Sequence, residues 1–226
     1  MKNIILINGS PKVNNKEAVS KLLLDMVQNK INHKEANTAF MDVRQSIKEK
    51  KTEQDYKTML KADVVVFAFP LYVFCIPGIL MRYLEDYYKF YKQNENIKNS
   101  PKVYAIVNCG FPEPDINLEA VRVIESFCLH INAKFRFGVL IGGGGMLLGA
   151  KDAPFMKKTM NELNEAFSAI EQDINSNEIE TKNNFSIKMN FPRRLYMFAG
   201  DKGWIMTAKK NGLKKKDLYS KPYNAE

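Results

Sequence analysis

The chain is poor in the side chains that carry most metal and hydrolytic chemistry. In 226 residues it holds two histidines, His33 and His130, too few for a histidine metal cluster or for most Ser–His–Asp chemistry. Its three cysteines, Cys75, Cys109 and Cys128, form no C-x-x-C pair, which argues against zinc, iron–sulfur and disulfide frameworks and for a reducing compartment. No apolar run approaches the ~18 residues of a bilayer-spanning helix. No leader is expected either, because Met1-Lys2-Asn3 runs directly into a strand pattern. A cytoplasmic protein is the expectation. No metal ligand set and no catalytic side chain emerge.

Two nucleotide signatures are also missing. Gly9 is followed five residues later by Asn14, so the G-x-x-x-x-G-K-[ST] loop is absent. Pro11 and Asn14 break the G-x-G-x-x-G spacing, and the Gly142–Gly145 run meets Leu147 where a third glycine would stand.

What is present is organised around residues 2–20. Ile4-Ile5-Leu6-Ile7 is a continuous apolar run, as in a parallel strand buried on both faces. Asn8-Gly9-Ser10-Pro11 breaks it, and a polar stretch leads to a helical pattern at Val19, Leu22, Leu23, Met26 and Val27. The first amides of a helix have no partners within it, and its dipole favours an anion there. Ser10, Asn14 and Asn15 offer side-chain hydrogen bonds and Lys12 a positive charge. A loop of this kind suits one terminal phosphate, hence a mononucleotide.

Further strands are predicted over 36–43, at an edge, and over 63–69, 102–108 and 134–142. Helices are predicted over 55–61, after Pro77, over 117–130 and over 153–174, with 44–53 as a solvated connection. Alternating strands and helices make a doubly wound α/β domain with a five-stranded parallel sheet, order 2-1-3-4-5, over residues 1–175. In such a sheet ligands sit beyond the carboxyl ends of the strands at the switch point. Two loops end there. One is the apolar Pro70-Leu71-Tyr72-Val73-Phe74-Cys75-Ile76-Pro77-Gly78, and the other begins Asn108-Cys109-Gly110-Phe111-Pro112.

ILINGSPKVNN resembles the first loop of the flavodoxin-like NAD(P)H-dependent FMN reductases and quinone reductases, and PLYVFCIPG resembles their second. Where members often carry Ser or Thr after the first loop, this chain has Lys16, Glu17 and Ala18. The resemblance implies FMN as cofactor, its phosphate on Ser10, Lys12, Asn14 and Asn15. The ring would lie against Pro70, Leu71, Tyr72, Val73 and Phe74, with Tyr72 flanking it. Asn108, Cys109 and Gly110 would stand nearest the ring from the third loop, with Phe111 as a lid over the nicotinamide or acceptor. It implies NADH or NADPH as co-substrate, a small-molecule acceptor (quinone, nitro or azo compound, or free flavin) and a homodimer. The aromatic-rich helix at Leu80, Tyr83, Leu84, Tyr87, Tyr88, Phe90 and Tyr91 is the expected seam. An electron carrier and a flavin-free interaction protein on the same fold are the alternatives. A carrier of the flavodoxin type tends to be acidic, whereas this chain is +9.

That charge is uneven. Residues 176–226 hold eleven Lys/Arg against five Asp/Glu, a net +6, while the preceding residues contribute +3. This basic C-terminal extension reads as a polar linker and then a helical segment, in which Gly200 and Gly203 weaken any single long helix. Phe198, Trp204 and Ile205 point to packing on the domain or a partner subunit rather than on a membrane surface. Nucleic-acid binding is not expected, since no base-reading motif accompanies the charge.

Overall fold

The computed structural model describes residues 1–12, 18–31, 36–94, 99–177, 180 and 182–221. It divides into two compact units, Met1–Met189 and Asn190–Glu226.

The first unit is built on strands β1 (Lys2–Asn8), β2 (Ala36–Asp42), β3 (Val64–Pro70), β4 (Lys102–Asn108), β5 (Lys134–Ile141) and β6 (Phe185–Ile187). All are parallel, in the order β2-β1-β3-β4-β5-β6. Helices α1 (Val19–Gln28), α6 (Met146–Ala150) and α7 (Lys157–Asn175) cover one face, with Leu23, Leu147, Leu163 and Phe167 packed on Ile4, Leu6, Val66 and Ile106. Helices α2 (Val43–Lys48), α3 (Thr52–Met59), α4 (Gly78–Gln93) and α5 (Leu118–His130) cover the other, where Leu80, Tyr83 and Ile124 meet Ile5, Ile7, Phe67 and Val103. Neighbours along one strand, Ile4 and Ile5 for instance, thus serve opposite layers, which is why the strand sequences are apolar throughout.

Two expectations change. The sheet has six strands, not five, because Phe185–Ile187, within the basic extension, pairs with Val139–Ile141. Asn184 Oδ1 accepts from Gly138 N at 2.6 Å, and Gly142 N donates to Ile187 O at 3.0 Å, so β5 has no open edge there. The 44–53 connection contains α2, whose first turn is capped by Asp42 Oδ1 accepting from Gln45 N at 2.8 Å. The aromatic side chains of α4 are largely covered within the chain. Tyr56 of α3 meets Tyr83, Tyr87 and Phe90 at centroid distances of 5.0, 5.6 and 5.7 Å, while Tyr88 and Phe90 stay half-buried.

In the second unit α8 (Arg193–Lys210) runs unbroken through Gly200 and Gly203, and a 3-10 turn (Lys215–Tyr219) follows. Trp204 and Phe198 are 70% and 61% exposed.

Candidate functional site

After β1 the chain goes out to β2 and then crosses to β3 on the other side, so the switch point lies between β1 and β3. Three loops leave the sheet at that end.

The first is fixed by a chain of hydrogen bonds. Asp42 at the end of β2 accepts from Asn8 Nδ2 at 2.8 Å, which turns Asn8 Oδ1 toward Ser10 N at 3.2 Å. Ser10 Oγ in turn accepts from Lys12 N at 3.3 Å, and Gly9 N donates to Ala68 O at 2.9 Å. Asn8 and Ser10 are buried. Of the expected phosphate ligands, Ser10 and Lys12 stand on this turn, while Asn14 and Asn15, like Lys16 and Glu17, lie outside the described residues. Asp42 and Asn8 were not singled out from sequence. A carboxylate closing a strand just before a helix start was the available signal.

The second loop holds a strained corner. Tyr72 and Cys75 exchange both backbone hydrogen bonds at 2.9 Å, with Val73 and Phe74 at φ of 49° and 59° between them. Two positive φ values in a two-residue turn define type I′, which ordinarily takes Asn-Gly. A β-branched valine there is a costly exception. The corner lifts Val73 and Phe74 outward, 93% and 60% exposed, with Tyr72 at 45%. Leu71 N and Tyr72 N already donate to Asn108 O and Cys75 O, leaving the Val73 and Phe74 amides without a described partner.

The third loop meets the second. Phe111, 47% exposed, stacks on Phe74 with centroids 5.9 Å apart and planes at 19°. Asn108 and Cys109 lie beneath. Asn108 Nδ2 reaches Ser20 Oγ at 3.4 Å and Phe69 O at 3.3 Å, tying β4 to α1 and β3. The Cys109 thiol donates to Phe111 O at 3.4 Å, and burial pushes its pKa up, away from thiolate character. Gly110 is exposed, and a Cβ there would meet nothing within 4 Å. Gly143 N and Gly144 N donate to Phe111 O and Cys109 O at 2.6 and 2.8 Å, so the glycine run props this loop from below. Gly142 is needed because a Cβ would come within 2.3 Å of Pro112 O. Among the described residues, no group of three His, Cys, Asp or Glu side chains could hold a metal ion.

A parallel sheet with a polar helix-entry turn and two aromatic loops at its switch point defines a flavodoxin-like protein. The family model described as "Flavodoxin-like fold" matches residues 2–124, and the chain belongs to that family. No curated protein matches it in sequence. Among solved structures it is similar to an NADH:FMN oxidoreductase in its apo form, at 14% identity, TM-score 0.59, over 86% of this chain and 98% of that one. It is also similar to general stress protein 14 from Treponema denticola in complex with FMN, at 16% identity, TM-score 0.55, over 77% and 99% of the two chains. The corresponding values for NAD(P)H:quinone oxidoreductase from Methanothermobacter marburgensis are 13%, 0.53, 75% and 96%.

Proposed function

We propose that the chain is an FMN-dependent NAD(P)H oxidoreductase that takes reducing equivalents from NADH or NADPH and delivers them to a quinone, a nitro or azo compound, or free flavin. The observation that carries this reading is the exposure of Tyr72, Val73, Phe74 and Phe111 together at the end of the sheet from which the Ser10–Lys12 turn also leaves. An apolar surface of that kind, placed where α/β sheets take ligands, fits a planar ring, and the unpartnered Val73 and Phe74 amides fit its polar edge. The residues present therefore suit FMN. Similar structures named for FMN and for NAD(P)H:quinone chemistry support the choice of cofactor and reaction.

Bound FMN supplies the hydride and electron-transfer chemistry. The chain positions it. Lys12 and the turn around Ser10 hold the phosphate, and the Val73–Phe74 corner presents backbone amides and an apolar wall. Phe111 screens the reacting face from water, and no side chain need act as acid or base. A homodimer and a cytoplasmic location belong to the same proposal.

Purified protein saturated with FMN and freed of excess should carry the visible flavin absorbance. It should then oxidise NADH or NADPH in the presence of a quinone. Protein that stays colourless and gains no melting temperature from FMN overturns the reading. Flavin retention without nicotinamide oxidation reassigns the chain to electron carriage.

A further inference from the structure

The extension from Asn190 onward has two apolar stripes, of which one faces the 3-10 turn while leaving Trp204 70% exposed. On the first, Ala208 is buried at 4% exposure, where Leu213 N returns to Ala208 O at 2.9 Å. Trp204 and Ile205 share a cleft with Leu218 and Tyr219 of the 3-10 turn. On the other side of α8, Leu195, Phe198, Ala199, Lys202 and Met206 fall at i, i+3, i+4, i+7 and i+11, the spacing of a single helical stripe. Leu195, Phe198 and Met206 are 54%, 61% and 60% exposed. Three large apolar side chains standing in water on one stripe are an unmet burial demand.

The charges beside the stripe indicate what meets it. Residues 190–221 carry nine Lys/Arg against two Asp/Glu, and Lys202, Lys209 and Lys210 are exposed along or beside the apolar stripe. Lys202 Nζ already lies over the Phe198 ring, 5.3 Å from its centroid. Apolar groups between long cationic side chains match the boundary between acyl chains and anionic headgroups, since the lysine stems lie along the apolar region while their ammonium groups reach phosphate. Among the described residues no helix is long and apolar enough to cross a membrane, so the fit is to a surface.

We propose that α8 docks on an anionic lipid surface, with Leu195, Phe198 and Met206 entering the headgroup boundary and Lys202, Lys209 and Lys210 pairing with lipid phosphates. The proposal is independent of the flavin reading and is testable on protein without cofactor.

The test is sedimentation of the full chain with vesicles of phosphatidylcholine alone and of phosphatidylcholine with phosphatidylglycerol. Binding is expected only to the anionic vesicles and should weaken as salt is raised. The variant Leu195→Ser/Phe198→Ser/Met206→Ser should bind at least tenfold more weakly, as should Lys202→Gln/Lys209→Gln/Lys210→Gln. Both should keep the wild-type melting temperature, because every substituted side chain is exposed. Wild-type protein that stays in the supernatant with anionic vesicles at low salt overturns the proposal. Undiminished binding by the serine variant also overturns it, leaving mere adsorption of a basic tail. So does a wild-type dimer in analytical ultracentrifugation that the serine variant abolishes, since the stripe then faces a second copy.

Discussion

The ion pair between Arg136 and Asp173 gives the sharpest quantitative prediction. Both side chains are essentially inaccessible, at 1% and 0% exposure. The pair is bidentate, Nε to Oδ2 at 2.8 Å and Nη2 to Oδ1 at 2.9 Å, and Tyr104 donates its hydroxyl to Oδ2 at 2.7 Å. Lys182 Nζ lies 3.4 Å from Oδ1. Asp173→Asn leaves the guanidinium buried without a counter-charge, a change that costs about 3–5 kcal/mol. For a domain of this size each kcal/mol moves the melting temperature by about 2–4 °C, so the expected fall is roughly 6–20 °C. The apolar replacement Arg136→Met/Asp173→Leu/Tyr104→Phe removes the buried partners and leaves only the part-exposed Lys182 and Ser176 to turn to water, so it should recover most of that loss. Melting followed by circular dichroism reads both. The sign with pH is fixed too. Burial alone would raise the Asp173 pKa, but hydrogen bonds from Arg136 and Tyr104, with the charges of Arg136 and Lys102, hold it below the usual carboxylate range. A depressed folded-state pKa stabilises above the unfolded value, about 4, and that stability drains away as pH falls below it. Asp173→Asn should therefore flatten the acid limb of the stability profile. The pair sits near the start of β5, about 15 Å along the strand from the candidate site, so FMN affinity of the folded variant should not change. A single variant melting within about 2 °C of wild type, or a triple variant no better than the single, refutes the reasoning.

Two further predictions concern the loops. Gly142→Ala drives a Cβ to 2.3 Å from Pro112 O and 2.8 Å from Pro112 C, backbone atoms that move only with the Phe111 loop. It should cost about 1–3 kcal/mol in thermal unfolding and weaken FMN binding in a fluorescence titration. Gly145→Ala, whose Cβ meets nothing within 4 Å, is the control. Val73→Asn should raise stability by about 1 kcal/mol because asparagine tolerates the left-handed φ of 49°, and should lower FMN affinity less than loss of the Phe74 ring does, since it removes only a small apolar contact. Phe74→Gly should stabilise similarly while lowering FMN affinity about 2- to 10-fold through loss of a ring. Equal affinity in both variants would remove Phe74 from the site.

Much of the fold was legible locally. The strands Ile4–Ile7 and 63–69 are apolar enough to declare a sheet buried on both sides, and their alternation with helices leaves one economical winding. The positions of the Ser10, Tyr72 and Phe111 loops followed from topology alone. Features that depend on a distant partner were not legible. The strand Phe185–Ile187 is three residues in a polar stretch, and it forms because Gly138 and Gly142 offer open backbone groups that its sequence cannot announce. Arg136 reads as a polar residue on a strand. It turns inward because the register of β4 on β5 jumps from Val103–Phe135 to Tyr104–Phe137, and the bulge aims it at α7.

At the candidate site, residue types pointed to the loops, while tertiary structure decided which partners each residue meets. Tyr72 is the expected flanking aromatic and stands partly exposed, and its hydrogen bonds with Cys75 hold the corner that projects Phe74 onto Phe111 across the loops. Asn108 is an expected ligand, and its Nδ2 donates to Ser20 Oγ and Phe69 O. The sequence by itself determined the layered sheet and the end of it where chemistry sits, because burial and chain winding are written in local pattern. The hydrogen-bond partners of the side chains at that end were decided only in three dimensions, because a hydrogen bond belongs to whichever partner the completed fold brings within reach.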